Sequence, residues 1–275
     1  MSGGLTTTDQ QRLIPIHDFV FRDFERSRIM RIRDLLAEMV AKSDLGYLGS
    51  IPELGQGFAY FAGTRWNWEV DPLQVRAATD VGVAVVEILR VFTQPGDSIL
   101  LSSPVYHNFY NWINETKLNL VDVPFERTGD ESNNPWEINW DGIEKAYASG
   151  LKVHILCSPH NPLGRIYSKE ELLRLVALAK RYEVLIISDE IHAPLSWVPF
   201  TPYRALGPAA HRTGVTITSS SKAWNVAGLK AAFLLTQGPE VQVRLKGIPD
   251  AMHWRTSLIG AFAMESAFSH SVEWL

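Results

Sequence analysis

The chain has 275 residues and a mass of 30.9 kDa, a length that fits one or two domains. Hydrophobic residues make up 46% and charged residues 20%, which predicts a packed core and excludes a chain that is disordered by composition. The net charge of −4 argues against a nucleic-acid partner, because nucleic-acid binders need a basic surface.

The sequence carries no recognisable signal for secretion or membrane insertion. Residues 1–10 are small and polar, without a basic region followed by an apolar stretch. No apolar run approaches the roughly 18 residues that span a bilayer. The single cysteine, Cys157, excludes an intramolecular disulfide and fits a reducing compartment. We therefore expect a cytoplasmic protein with no membrane partner.

The predicted elements follow the hydrophobic pattern. Apolar residues at helical spacing predict a helix over residues 28–40, and five glycines within residues 46–63 predict a loop with close backbone approach. Further along, strands are predicted at residues 75–79, 98–101, 118–123, 152–157, 184–188, 215–219 and 231–235, and helices at 81–92, 105–115, 141–148 and 168–181. Asp141 is the predicted cap of the 141–148 helix, and Ser168 and Glu171 match a capping box.

This alternation predicts an α/β fold with a mostly parallel sheet, and such sheets bind ligands at the carboxyl ends of their strands. Asn161 follows one strand in a segment stiffened by two prolines, so it is either a fixed amide for a ligand oxygen or part of an ordinary Asn-Pro turn. Asp189 follows a buried strand, where it is either a helix cap or a carboxylate that needs a cation or several donors. A metal held with His192 lacks further ligands, whereas a protonated ring nitrogen of a cofactor suits it.

Three other strand ends carry candidate ligand groups. Ser219 and Ser221 precede Lys222, so hydroxyls and free backbone N–H groups could hold a phosphate there. In an apolar pocket Lys222 would favour the neutral, nucleophilic amine, and otherwise it is a solvent-facing lysine in a Ser-rich loop. Asp80 is either a helix cap or part of a second phosphate-facing turn, and Tyr106 is either a stacking ring or a core residue.

The order and spacing of these residues define four segments: PGDSILLSSPVYHNFY, CSPHNPLGRIYSKEEL, SDEIHAPL and SSSKAWNVAGLK. They resemble the pyridoxal-phosphate (PLP) enzymes of the aspartate aminotransferase fold, the class I/II aminotransferases. Within that family they are most similar to the cystathionine β-lyase subgroup that includes the MalY and PatB proteins. The resemblance implies the large domain of fold type I, with helices on both faces of the sheet, over residues 46–275. Residues 1–45 would form an N-terminal segment and helix.

The resemblance also implies residue roles in PLP chemistry. Lys222 matches the Schiff-base lysine, whose freed amine removes the Cα proton of an amino-acid substrate. Asp189 matches the carboxylate that keeps the pyridine nitrogen protonated. Asn161 matches the amide at the phenolic oxygen of the ring. His192 stands where aspartate aminotransferase has a tyrosine contacting that oxygen, and the lyase subgroup carries histidine there.

The other implied contacts surround the ring and the phosphate. Tyr106 matches the stacking aromatic residue. The phosphate would meet the turn of Ser219 and Ser221, with Ser219 the better match. Lys230 would contact it where many aminotransferases have arginine, and the backbone N–H groups of Val81 and Gly82 would contact it at a helix start. Tyr47 matches a tyrosine that reaches the phosphate of the neighbouring subunit, which implies a homodimer.

One departure concerns the C-terminal small domain, which follows the large domain in this family and supplies the arginine for the substrate carboxylate. This chain ends at Leu275, so we expect the small domain to be absent or truncated, and no residue takes that arginine's role. The motifs favour a C–S β-lyase that releases pyruvate, ammonia and a thiol. They leave open an aminotransferase and a truncated, non-catalytic PLP-fold protein.

Overall fold

A seven-stranded sheet forms the centre of the computed structural model, which describes residues 32–129 and 135–275. The strands are β1 (Val75–Ala78), β2 (Ser98–Leu101), β3 (Asn119–Asp122), β4 (Glu126–Arg127), β5 (Trp136–Glu137), β6 (Val153–Cys157), β7 (Leu185–Asp189), β8 (Gly214–Thr218) and β9 (Ala232–Leu235). Their order in the sheet is β1-β9-β8-β7-β6-β2-β3, while β4 and β5 pair separately. Only β9 runs antiparallel to its neighbours within this sheet, so the predicted mostly parallel sheet is confirmed.

Helices cover both faces of this sheet. They are α1 (Ile32–Ala41), α2 (Pro52–Trp66), α3 (Val81–Phe92), α4 (Asn108–Glu115), α5 (Trp140–Ala148), α6 (Lys169–Tyr182), α7 (Pro208–Thr213), α8 (Pro239–Leu245), α9 (Ala251–Trp254) and α10 (Leu258–His270). Successive strand residues point to opposite faces. Ile99 and Leu101 of β2 therefore pack with α3 and α4, whereas Leu100 packs with α5 and α6. This two-sided burial explains why the strands read as continuous apolar runs.

The loop predicted from the glycines of residues 46–63 is wrong, because most of that stretch is α2. The close approach that glycine permits is real, but it serves the packing of a helix. A Cβ on Gly55 would lie 2.2 Å from the carbonyl oxygen of Pro72, and one on Gly57 would lie 2.2 Å from the hydroxyl of Ser269. Helix α2 can thus lie against the chain entering β1 and against α10.

Two smaller predictions also need correction. The helix predicted at 105–115 begins at Asn108. The cap of α5 is Asn139, whose side chain accepts a hydrogen bond from the N–H of Gly142, and Asp141 lies inside the first turn. The predicted capping box of Ser168 and Glu171 at α6 is present.

Helix α1 forms part of the predicted helix at 28–40, of which residues 28–31 lie outside the described residues. Its Leu35 and Met39 pack against Phe262 of α10. The division at residue 45 stays a prediction. Within the described residues, none of the helices is both long and apolar enough to cross a lipid bilayer.

Candidate active site

A cavity of about 370 Å³ lies at the carboxyl ends of β6, β7 and β8. These strands are parallel neighbours, so the residues that follow them meet at one edge of the sheet. All but one of the predicted site residues line the cavity: Val81, Gly82, Tyr106, Asn161, Asp189, His192, Ser219, Ser221, Lys222 and Lys230. Tyr47 is the exception, since it lies outside the lining and is 86% exposed.

Asp189 is the buried charge of this cavity. It is the last residue of β7 and is 5% exposed. One of its carboxylate oxygens accepts a 3.1 Å hydrogen bond from the backbone N–H of Ile191. Burial raises the pKa of Asp189 to about 6, although that N–H and the positive charge of Lys222 act in the opposite direction. A second cation inside the cavity would stabilise the ionised carboxylate further.

Lys222 lies in the turn that follows β8, and its side chain is exposed. Of the two alternatives left open for this lysine, its exposure favours a solvent-accessible amine over one enclosed in an apolar pocket, although Lys222 still lines the cavity. The positive charge of Lys222 is close enough to lower the pKa of His192. It also offsets part of the rise that burial causes in the pKa of Asp189. The cavity thus combines an accessible amine, which can bond covalently to a ligand, with a buried carboxylate, which can pair with a cation.

The turn before Lys222 is held by Ser219. Its hydroxyl donates a 2.7 Å hydrogen bond to the carbonyl oxygen of Ala231 and accepts a 3.0 Å hydrogen bond from the N–H of Ser221. Since the Ser219 proton is engaged, Ser221 offers the freer hydroxyl donor of the two. Both side chains line the cavity, so both stay candidates for an anion contact.

Asn161 and His192 occupy the wall near Asp189. The loop that carries Asn161 is closed by two 2.8 Å hydrogen bonds, from the N–H of His160 to Arg165 and from the N–H of Gly164 to His160. Within the part of the chain that the structure describes, the side-chain amide of Asn161 makes no hydrogen bond and so is available to a ligand. Burial and the charge of Lys222 lower the pKa of His192, which favours the neutral imidazole.

The start of α3 forms the opposite end of the cavity. Asp80 is its N-cap, because one carboxylate oxygen accepts a 2.8 Å hydrogen bond from the N–H of Val83. The other oxygen lies 3.7 Å from the ammonium of Lys230. In residues 32–129 and 135–275, no acceptor is found for the N–H groups of Val81 and Gly82. Two free backbone donors and a nearby lysine make this end suited to an anion.

Sequence reasoning missed Asn108 and Trp112, which also line the cavity. They lie four residues apart on α4 and so share one helix face, just after Tyr106. That spacing is the local signal that both side chains lie on the same surface of the helix. Among the described residues, no group of three or more His, Cys, Asp and Glu side chains is arranged to hold a metal ion.

The family model of aminotransferase class I and II matches residues 40–271. The chain belongs to this family.

Named relatives and solved structures agree with that assignment. A Mycobacterium tuberculosis protein named as a candidate cystathionine β-lyase is 32% identical over 255 residues, which are 89% of this chain and 60% of that protein. The cystathionine β-lyase of Corynebacterium glutamicum is 30% identical over 89% of this chain and 64% of its own length. The chain therefore spans less than two thirds of the length of these relatives.

A solved structure from Corynebacterium diphtheriae, described as a candidate PLP-dependent β-cystathionase, superposes with a TM-score of 0.81 at 27% identity. The match covers 88% of this chain and 62% of that structure. The predicted fold type I is confirmed by this likeness.

Proposed function

We propose that this chain binds pyridoxal 5′-phosphate in the cavity and acts on an amino acid as a C–S β-lyase. The observation that carries the proposal is that Lys222 and Asp189 line one cavity, with the carboxylate buried and the lysine within range of its charge. A volume of about 370 Å³ lies within the range of pockets that hold small molecules, roughly 300–1,000 Å³.

The residues around the cavity fit the parts of this cofactor. In the described part of the chain, the carboxylate of Asp189 accepts a hydrogen bond from only one donor and keeps lone pairs free, so it suits the protonated nitrogen of a pyridine ring. Tyr106 offers an aromatic face, and Asn161 and His192 offer polar groups for the ring oxygen. The free donors and cation at the start of α3 suit a phosphate. We assign the phosphate contacts to Val81, Gly82, Ser219, Ser221 and Lys230.

The chemistry divides between the cofactor and the chain. When bound, PLP accepts electron density from the Cα of an amino acid once its proton has been removed. The amine of Lys222 is the base that accepts this proton and carries it at Nζ. Asp189 holds the proton on the ring nitrogen, and the resulting ion pair keeps the buried carboxylate ionised at neutral pH. Because burial and the charge of Lys222 favour the neutral form of His192, its imidazole offers an uncharged polar group to the ring oxygen.

Two observations bear on the choice of reaction. The relatives named above carry the name of cystathionine β-lyase, which supports elimination of a sulfur substituent from Cβ. The family as a whole is named for aminotransferases, and the same residues can serve transamination, so aminotransferase activity is the alternative. The substrate is an amino acid in either case. A cytoplasmic location stays a prediction from the sequence.

A product assay with cystathionine and added PLP separates these activities. Release of pyruvate without a 2-oxo acid acceptor is the result expected for the lyase. Turnover that depends on an acceptor would instead support the aminotransferase. An absence of turnover by both routes, with the cofactor bound, would favour the non-catalytic PLP-fold protein.

Covalent trapping tests the cofactor independently of turnover. Borohydride treatment of the PLP-loaded protein is expected to leave the reduced cofactor mass on the peptide that contains Lys222. The Lys222→Ala variant should lose this label, while Lys180→Ala, which changes an exposed lysine on α6, should keep it. A wild-type protein without the label would contradict the proposal.

We also propose a homodimer in which Tyr47 reaches the phosphate of the partner's site. Tyr47 is almost fully exposed and lies outside its own cavity, and large aromatic side chains such as Trp197 and Trp254 are also exposed. Sedimentation should give twice the chain mass, and Tyr47→Phe should weaken PLP binding while Tyr60→Phe does not. A monomer would contradict the shared site, and so would a dimer whose affinity for PLP is unchanged by Tyr47→Phe.

A further inference from the structure

Trp112 lies against the first turn of α3. A Cβ on Gly82 would lie 2.8 Å from Cζ2 and 3.2 Å from Nε1 of the indole. Any side chain at position 82 would displace the ring, so the glycine is what allows the indole to reach the helix backbone at this point. The indole is therefore next to Gly82, and Trp112, Val81 and Gly82 all line the cavity.

The orientation of this indole is set by its neighbours on α4 and in the segment before it. The ring centroid of Trp112 lies 5.3 Å from that of Phe109 and 6.2 Å from that of Tyr106, both at tilted or edge-to-face angles. Such contacts hold an aromatic ring in one plane. A ring fixed in this way presents its N–H in one direction with little loss of side-chain entropy.

The indole N–H is a donor without an acceptor. Within residues 32–129 and 135–275, no hydrogen bond from Trp112 Nε1 is found. By contrast, the indole N–H of Trp224 donates to the carbonyl oxygen of Ser271 at 2.7 Å, and that of Trp274 donates to the carbonyl oxygen of Ala223 at 3.0 Å. An indole is a donor only, so an unpaired one beside two unpaired backbone donors adds to a site for an acceptor.

We propose that the indole N–H of Trp112 is a further donor to the anionic group bound at the start of α3, which is the phosphate of PLP. This inference rests on the proposed function for the identity of the anion. It gives the cavity a side-chain donor from α4, in addition to Lys230 and the Ser219–Ser221 turn. The charge on a phosphate makes such a hydrogen bond stronger than one between neutral groups.

The test compares two ligands that differ only in the phosphate. Dissociation constants are measured for PLP and for pyridoxal with the wild type and with Trp112→Phe, which keeps a ring and removes the N–H. We expect the variant to weaken PLP binding about tenfold, in line with a hydrogen bond to a charged group, and to leave pyridoxal binding within about twofold. Trp140→Phe changes a tryptophan on α5 outside the cavity and should alter neither constant.

A second variant guards against a folding defect in Trp112→Phe. Gly82→Ala brings a methyl carbon within 2.8 Å of Cζ2 of the indole, so the ring must shift, and the variant should reproduce the loss that is selective for PLP. Equal weakening of both ligands, or no change in either, would overturn the role of Trp112 as a phosphate donor. A wild-type protein that binds neither ligand would instead overturn the proposed cofactor, and this inference with it.

Discussion

The side-chain amide of Asn108 donates a 2.6 Å hydrogen bond to the hydroxyl oxygen of Tyr106. Both residues line the cavity, and the edge of Phe109 meets the Tyr106 ring with centroids 5.7 Å apart. The start of α4 therefore holds Tyr106 at both its hydroxyl and its ring. A ring that is fixed before the cofactor arrives binds it with a smaller loss of conformational entropy.

We predict that Asn108→Ala weakens PLP binding by about fivefold, the value of a typical neutral hydrogen bond. Asn114→Ala is the matched control, because Asn114 is exposed on the same helix and does not line the cavity. Fluorescence titration of both variants with PLP gives the comparison. Equal affinities for Asn108→Ala and the wild type would show that the hydrogen bond does not position Tyr106.

Asp189→Ala should abolish turnover and leave the fold intact. The substitution removes the carboxylate that we place at the ring nitrogen, so the ring would lose its proton and its capacity to accept electrons. It also removes a buried charge, which by itself does not destabilise the fold. Asp141→Ala, at an exposed site on α5, serves as the control. Near-normal turnover by Asp189→Ala, with circular dichroism unchanged, would refute the assignment.

Glu190 predicts a pH dependence of stability. Its carboxyl group is 1% exposed and accepts 2.9 Å hydrogen bonds from Ser188 and from the N–H of Tyr203, while its second oxygen has no partner within the described residues. Burial raises the pKa of Glu190 to about 7, despite these donors and the charge of Arg204. The folded state thus binds this proton more tightly than the unfolded state.

The contribution of Glu190 to the free energy of unfolding is fully present below the ordinary pKa of glutamate. It is lost as the pH rises through about 7, the pKa in the folded state. Glu190→Gln mimics the protonated form and removes this loss. The difference in the free energy of unfolding, variant minus wild type, should increase by about 2–3 kcal/mol from pH 5 to pH 8. Urea denaturation at each pH measures it. The exposed Glu170→Gln should follow the wild-type curve. Parallel curves for Glu190→Gln and wild type would contradict the shifted pKa.

The glycines of α2 predict opposite effects within one helix. Gly55→Ala places a Cβ 2.2 Å from the Pro72 carbonyl oxygen and should destabilise the protein by about 1–3 kcal/mol. Gly63→Ala meets open space and should stabilise it by about 0.5–1 kcal/mol, because alanine is the better helix former. Thermal unfolding of the two variants should therefore shift Tm in opposite directions. A loss of stability in Gly63→Ala would contradict this account.

Local sequence determined most of the sheet and the order of its elements. The seven strands of the central sheet and helices α3 to α6 follow from apolar runs and helical spacing, whereas the pattern predicts neither β4 and β5 nor α7. Helix α3 and strand β2 have their predicted bounds, and the Ser168 capping box is local by nature. The candidate side chains at the strand ends could be found for the same reason, since a parallel sheet brings those ends together.

Contacts between distant parts of the chain decided the rest. The role of the glycines in the 46–63 stretch became clear only from their close contacts, Gly55 with Pro72 and Gly57 with Ser269 of α10. The Ser219 hydroxyl is engaged by Ala231, and Lys222 is exposed, because of how the strands β8 and β9 are joined. The place of Trp112 beside Gly82 follows from the packing of α4 on α3. Such pairings depend on three-dimensional proximity, which no local pattern of apolar and polar residues encodes.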